Sequence, residues 1–169
     1  MKTSELLADA FGRVGDIVGG VLDGIDVARI NWRPGGTGNS VAWLVWHLSR
    51  SQDAQIADVA GVASVWQSGG YAERFGFALG PGDTGYGHSA AQVDKVRVES
   101  TGLLRGYHEA VLRQSLDYVR GLSDADLDRV VDKRWDPPVT LGVRLVSVVN
   151  DSVQHGGQAA YVKGLPDVL

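Results

Sequence analysis

Three side chains, far apart in the chain, have the types and spacing to hold a divalent cation. Asp151 and His155 are four residues apart. On a helix they lie roughly 40° and one turn apart, on a single face. A carboxylate and an imidazole turned toward a core need partners, because an unpaired buried charge is costly. A metal ion satisfies both at once. His47, between Trp46 and Leu48 on the flank of another apolar stripe, is the third candidate ligand. Two imidazoles and one carboxylate suit zinc first, with nickel, iron and manganese as alternatives. Such a set leaves coordination positions open for substrate or water. Each residue also has an ordinary role. A lone helical histidine is commonly a satisfied core or surface residue, and Asp151 and His155 can simply bond to each other.

The composition narrows the chemistry. The chain has no cysteine, which excludes disulfides, thiolate ligands and a cysteine nucleophile. Any thiol chemistry must use a thiol brought by a substrate. The net charge of -4 comes without a dense Lys/Arg run, so neither nucleic acid nor an anionic membrane is an expected partner. The apolar stretch at 41–46 is too short to span a bilayer, and the first ten residues carry Glu5 and Asp9 where a signal peptide would be apolar. A cytoplasmic protein is expected. Gly80 to Gly87 contains no phosphate-loop lysine, and no Gly-x-Ser-x-Gly elbow occurs.

The candidate ligands need elements to hold them. Apolar residues recur at helical spacing through most of the 169 residues, a length that fits one domain with a real core. A first helix is expected over residues 4–22. After the turn Pro34-Gly35-Gly36-Thr37-Gly38, Asn39 or Ser40 can cap a second, which runs to about residue 60 and carries His47. Residues 62–88 are aperiodic but rich in glycine and aromatics, the pattern of a long loop packed over something. A third helix is expected from about 90 to 121. Ser123 to Asp126 reads as a capping box for a short helix, and Thr140 can cap the last helix, which carries Asp151 and His155 and ends at Gly164 and Pro166. No convincing period-2 segment appears. The expected fold is all-α, a single-domain up-and-down four-helix bundle over residues 1–169, with a long loop between helices 2 and 3.

Other residues read as structural. His88 and His108 are expected to be structural or surface residues, His108 facing solvent or a neighbouring helix. Trp43, Trp46, Trp66 and Trp135 are core anchors or pocket walls. Asp53 reads as a solvated acid or one supporting the site, and Arg50 and Arg144 as partners of an anionic substrate or of acids such as Asp151, with helix-surface pairing the default.

The stretches Asn39-Ser-Val-Ala-Trp-Leu-Val-Trp-His47-Leu and Leu145-Val-Ser-Val-Val-Asn-Asp151-Ser-Val-Gln-His155-Gly-Gly-Gln158 resemble the DinB-like four-helix metalloprotein superfamily. Within it the chain is most similar to the actinobacterial mycothiol S-transferases. The likeness extends to Trp135-Asp-Pro-Pro-Val-Thr-Leu-Gly-Val before the last helix. It implies a metal held by one histidine of the second helix and an H-x-x-x-H pair of the fourth. His47 and His155 match the outer two, whereas Asp151 stands where the middle histidine is usual. The resemblance further implies a low-molecular-weight thiol, such as mycothiol, as cosubstrate and an electrophile as second substrate, in detoxification. Gln158 would then support a ligand or contact the thiol. Alternatives are a thiol-dependent isomerase, a metal-dependent hydrolase, and a non-catalytic, stress-associated bundle. A homodimer through an apolar helix face is compatible with such a bundle.

Overall fold

In the computed structural model, which describes residues 1–166, the helices are α1 (Thr3–Leu22), α2 (Val27–Asn31), α3 (Val41–Ala60), α4 (Val65–Ser68), α5 (Tyr71–Phe75), α6 (Ala90–Val93), α7 (Thr101–Arg120) and α8 (Leu141–Gly164). The four long ones form the expected all-α bundle. Ser40 Oγ accepts the Trp43 N–H at 3.1 Å and starts α3, and Thr140 caps α8 through the Val143 N–H. Gly61 ends α3 in the left-handed conformation, where glycine is unstrained.

α1 packs against α7 and α8, and α3 packs against the same two, so α1 and α3 occupy opposite corners. Directions follow from the contacts. Ser49 meets His108 and Gln52 meets Ser115, so α3 and α7 run parallel. α1 and α8 are also parallel: Ile17 closes on Gly156, and Lys163 Nζ reaches the Gly20 carbonyl. The helices therefore run up, down, down, up, which corrects the alternating up-and-down order expected from the sequence while keeping the four-helix bundle. The chain can do this because residues 61–100 carry it back along the bundle. Two apolar clusters fill the interior, one joining Val14 to Leu22, Val41 to Leu48, Leu104 to Val111 and Ala159, the other Phe11, Ile56, Val119 and Leu141 to Val148.

α3 is buried nearly all round, including Ser49, Arg50, Gln52 and Asp53, because α7, α8 and the 61–100 segment enclose it. Three further expectations are corrected. The helix expected from 90 to 121 is broken: α6 stops at Val93, and α7 starts at Thr101 behind the Ser100 cap. Val93 and Val96 are buried three residues apart, and that step imitates a helix. The Val98 backbone is instead pinned by the Asn31 side chain, which accepts the Val98 N–H at 2.9 Å and donates to its carbonyl at 2.7 Å. Next, Val130–Asp132 and Val139–Thr140 pair as a small antiparallel hairpin, too short to carry a period. Finally, α2 was not foreseen; Asp26 caps it through the Arg29 N–H. No helix among the described residues is long and apolar enough to cross a membrane.

Candidate metal centre

α3 and α8 pack antiparallel, and this brings His47 level with Asp151 and His155. One ligand atom from each lies within 4.8 Å of the others. Among the described residues no other group of three His, Asp or Glu side chains gathers this closely. His47 is buried, while His155 and Asp151 are half-buried, their side chains 19% and 39% exposed. They line the inner edge of the bundle and not its deep core. The two imidazoles meet edge to face, centroids 4.6 Å apart, and Trp43 stacks on His47.

Both histidines are oriented from behind. His47 Nδ1 lies 2.5 Å from the Thr84 carbonyl oxygen. A carbonyl only accepts, so Nδ1 carries the proton and Nε2 keeps its lone pair. His155 Nδ1 lies 3.1 Å from Gln158 Oε1, and its Nε2 faces Asp151 Oδ1 at 3.5 Å. Metal-binding histidines are usually held this way, one nitrogen on an oxygen acceptor and the other toward the ion. Gln158 thus touches the back of His155.

Thr84 belongs to a tight turn that only glycine permits. Gly85 is buried with φ +89, and a Cβ there would lie 2.9 Å from His47 Nδ1 and 3.0 Å from Trp46. Asp83 Oδ1 accepts from the Gly85 N–H at 2.8 Å and from His88 Nε2 at 2.9 Å. His88 Nδ1 in turn accepts the Trp43 indole N–H at 3.1 Å. His88 is therefore structural, as expected, but its work is to hold the turn over His47. The aperiodic 62–88 segment is packed over the site, also as expected.

The charges are tuned by position. Burial pushes the His47 pKa below the usual range, so it is neutral near pH 7. His155 lowers the Asp151 pKa, and Asp151 raises that of His155. A cavity of about 320 Å³ opens beside His47 and Asp151, lined also by Ser51, Gln55, Tyr86, Asn150 and Gln154, with no lysine or arginine. Tyr86 is 92% exposed at its mouth.

Other candidates fall elsewhere. Trp43, Trp46 and Trp66 are core residues, Trp43 also walling the site, whereas Trp135 is 66% exposed and far from any such role. Arg144 pairs with Asp58 and Asp132, not with Asp151. Two readings are corrected: Asp53 is not solvated and Arg50 is not at the surface, since both are buried and paired at 3.4 Å. His108 is buried against α3. Ser49 donates its hydroxyl to the Val45 carbonyl, so its oxygen accepts the His108 Nδ1–H at 3.0 Å. Thr84, Asp83 and Gly85 were not singled out; their one signal was a glycine cluster beside an acid.

The chain matches the DinB superfamily over residues 10–159 and belongs to it. The crystal structure of a conserved protein from Enterococcus faecalis is similar, with 33% identity, 96% of each chain covered and a TM-score of 0.90. No curated protein matches the chain. The donor set fits a divalent metal: two imidazoles and one carboxylate, with one ligand atom from each gathered within 4.8 Å, beside an open cavity.

Proposed function

We propose that the protein is a metal-dependent transferase that conjugates a low-molecular-weight thiol, of the mycothiol kind, to an electrophile. The observation that carries this reading is the convergence of His47, Asp151 and His155 within 4.8 Å beside an open, polar cavity. The likeness of the Trp-Leu-Val-Trp-His47 and His155-Gly-Gly-Gln158 stretches to mycothiol S-transferases supports the thiol as cosubstrate. A zinc ion, or nickel, iron or manganese, would supply the Lewis acidity that favours thiolate over thiol at neutral pH. The chain's own part is to hold two imidazoles and a carboxylate in place. His47 stays neutral through burial, with its Nδ1 proton on Thr84. Gln158 orients His155 from behind. Ser51, Gln55 and Asn150 offer neutral hydrogen-bonding groups to a polar cosubstrate. The protein has no thiol of its own to occupy the site. In the transfer, the thiol gives up its S–H proton to solvent, its sulfur forms the new S–C bond, and the electrophile's leaving group departs with the electron pair of the bond that breaks.

Protein purified without chelator is expected to carry about one divalent ion per chain, and His155→Ala to lose it. Metal-loaded protein with a thiol and a chlorobimane is expected to release chloride and form the fluorescent thioether. No conjugate above background would overturn the transferase and favour an isomerase or a hydrolase on the same site. A second reading rests on the Asp151–His155 ion pair at 3.5 Å, which satisfies both groups without a metal. In that case the bundle is non-catalytic, and the wild-type protein refuses zinc, nickel and manganese alike.

A further inference from the structure

Arg50 and Asp53 lie on α3, three and six residues past His47, and neither touches the three candidate ligands. Both are almost completely buried, an expensive arrangement that needs every donor and acceptor answered. Asp53 has four partners. Its oxygens accept the N–H groups of Val65 and Trp66, both at 2.8 Å, the Tyr107 hydroxyl at 2.8 Å, and Arg50 at 3.4 Å. The first two are the leading N–H groups of α4, so Asp53 anchors the start of the 62–88 segment. Arg50 Nε donates to the Asp83 carbonyl at 3.2 Å, and its guanidinium lies 4.9 Å over the Trp66 ring. Arg50 therefore grips the far end of the same segment. The next residue after Asp83 is Thr84, whose carbonyl takes the His47 Nδ1 proton. Positions 47, 50 and 53 thus work as one row: helix α3 holds both ends of the segment that orients its own histidine.

We infer that Arg50 and Asp53 are positioning residues for the metal centre, clamping residues 65–84 so that the Thr84 carbonyl fixes His47 with Nε2 turned toward Asp151 and His155. This rests on the reading of those three residues as metal ligands. It also makes a claim about the metal-free protein, namely which nitrogen of His47 carries the proton.

The experiment uses Arg50→Lys and Asp53→Asn in the full chain. Lysine keeps the buried positive charge beside Asp53 but cannot reproduce the fork that reaches Asp83. Asparagine keeps the shape and one acceptor. Two quantities are read: the His47 ring tautomer of the metal-free protein, by nitrogen-15 NMR, and zinc affinity, by competition with a chromophoric chelator. Wild type is expected to show a single Nδ1–H tautomer at His47. Folded variants are expected to show a mixture of tautomers and to bind zinc about 10- to 100-fold more weakly, the usual effect of losing support behind a ligand. Either variant, folded, with wild-type tautomer and wild-type zinc affinity would overturn the inference. Failure of both variants to fold would assign the pair to the core alone and overturn it as well. If wild type binds no zinc, the metal reading fails, while the tautomer still decides whether the clamp exists.

Discussion

Asp151 sets the charge of the centre. With two neutral imidazoles and one carboxylate, a divalent ion keeps one net positive charge; three histidines would leave two. Asp151→Asn keeps the shape but removes the anionic donor, and zinc affinity is expected to fall by at least about tenfold, by chelator competition. Asp151→His rebuilds the three-histidine set and is expected to retain zinc. An asparagine variant that binds as tightly as wild type would remove Asp151 from the ligand set. The same residue governs pH dependence. Asp151 raises the His155 pKa, so His155 holds a proton on Nε2 to higher pH than a free imidazole does. A metal must displace that proton, so zinc affinity is expected to fall as pH drops through and below the neutral range. Without metal the sign differs. The His155 contribution to stability is full below its unfolded pKa and is lost as pH rises through the raised folded value. The Asp151 contribution is present above its unfolded pKa and is lost as pH falls through the lowered one. Metal-free protein should therefore lose a little stability on the alkaline side, where zinc binds best.

The turn at 83–88 is a small element with a large share in the site. Gly85 and Gly87 both have positive φ, +89 and +71, but only Gly85 lies against His47 and Trp46. Gly87→Ala is expected to cost about 1 to 2 kcal/mol of stability through left-handed strain alone. Gly85→Ala adds a Cβ at 2.9 Å from His47 Nδ1. It is expected to weaken zinc binding as well as the melting temperature, whereas Gly87→Ala should change only the latter. Equal zinc affinity in the two variants would separate the turn from the site. The turn also marks the limit of what the sequence disclosed. His47, Asp151 and His155 were legible because their helices keep a period that places them on or beside the apolar face, and because the stretches around them resemble a known metalloprotein superfamily. The caps Ser40 and Thr140 were legible because their chemistry is local. Gly85 carries no side chain to announce its role, and Arg50 and Asp53 read as surface charges because the segment that buries them has no period. The break before α7 was hidden for the opposite reason: Val93 and Val96 are buried at a helical step, while the backbone just beyond them, at Val98, is held by Asn31 instead.

At the scale of the molecule, acid stability has an identifiable weak point. His108 is 2% exposed at the α3–α7 contact, and burial lowers its pKa to about 4. The unfolded chain binds this proton near pH 6.5, so stability is present above that pH and is lost as pH falls toward 4. The full loss is about 3 kcal/mol. Chemical denaturation at pH 7 and pH 5 is expected to show a little over half of it, about 2 kcal/mol, and His108→Leu should flatten the profile. A variant as acid-sensitive as wild type would place the weakness elsewhere.

The up-down-down-up order bears on how fast this molecule reaches its native state. In an alternating bundle with short links, many contacts join helices adjacent in the chain. Here α1 lies alongside α8, its partner at the other end of the sequence, and α3 lies alongside α7 only after 40 intervening residues, 61–100. Closing such loops costs entropy before the contacts can reward it. The chain should therefore refold more slowly than helical bundles of similar size whose neighbours are consecutive, with a rate set by α8 finding α1 and α3 together.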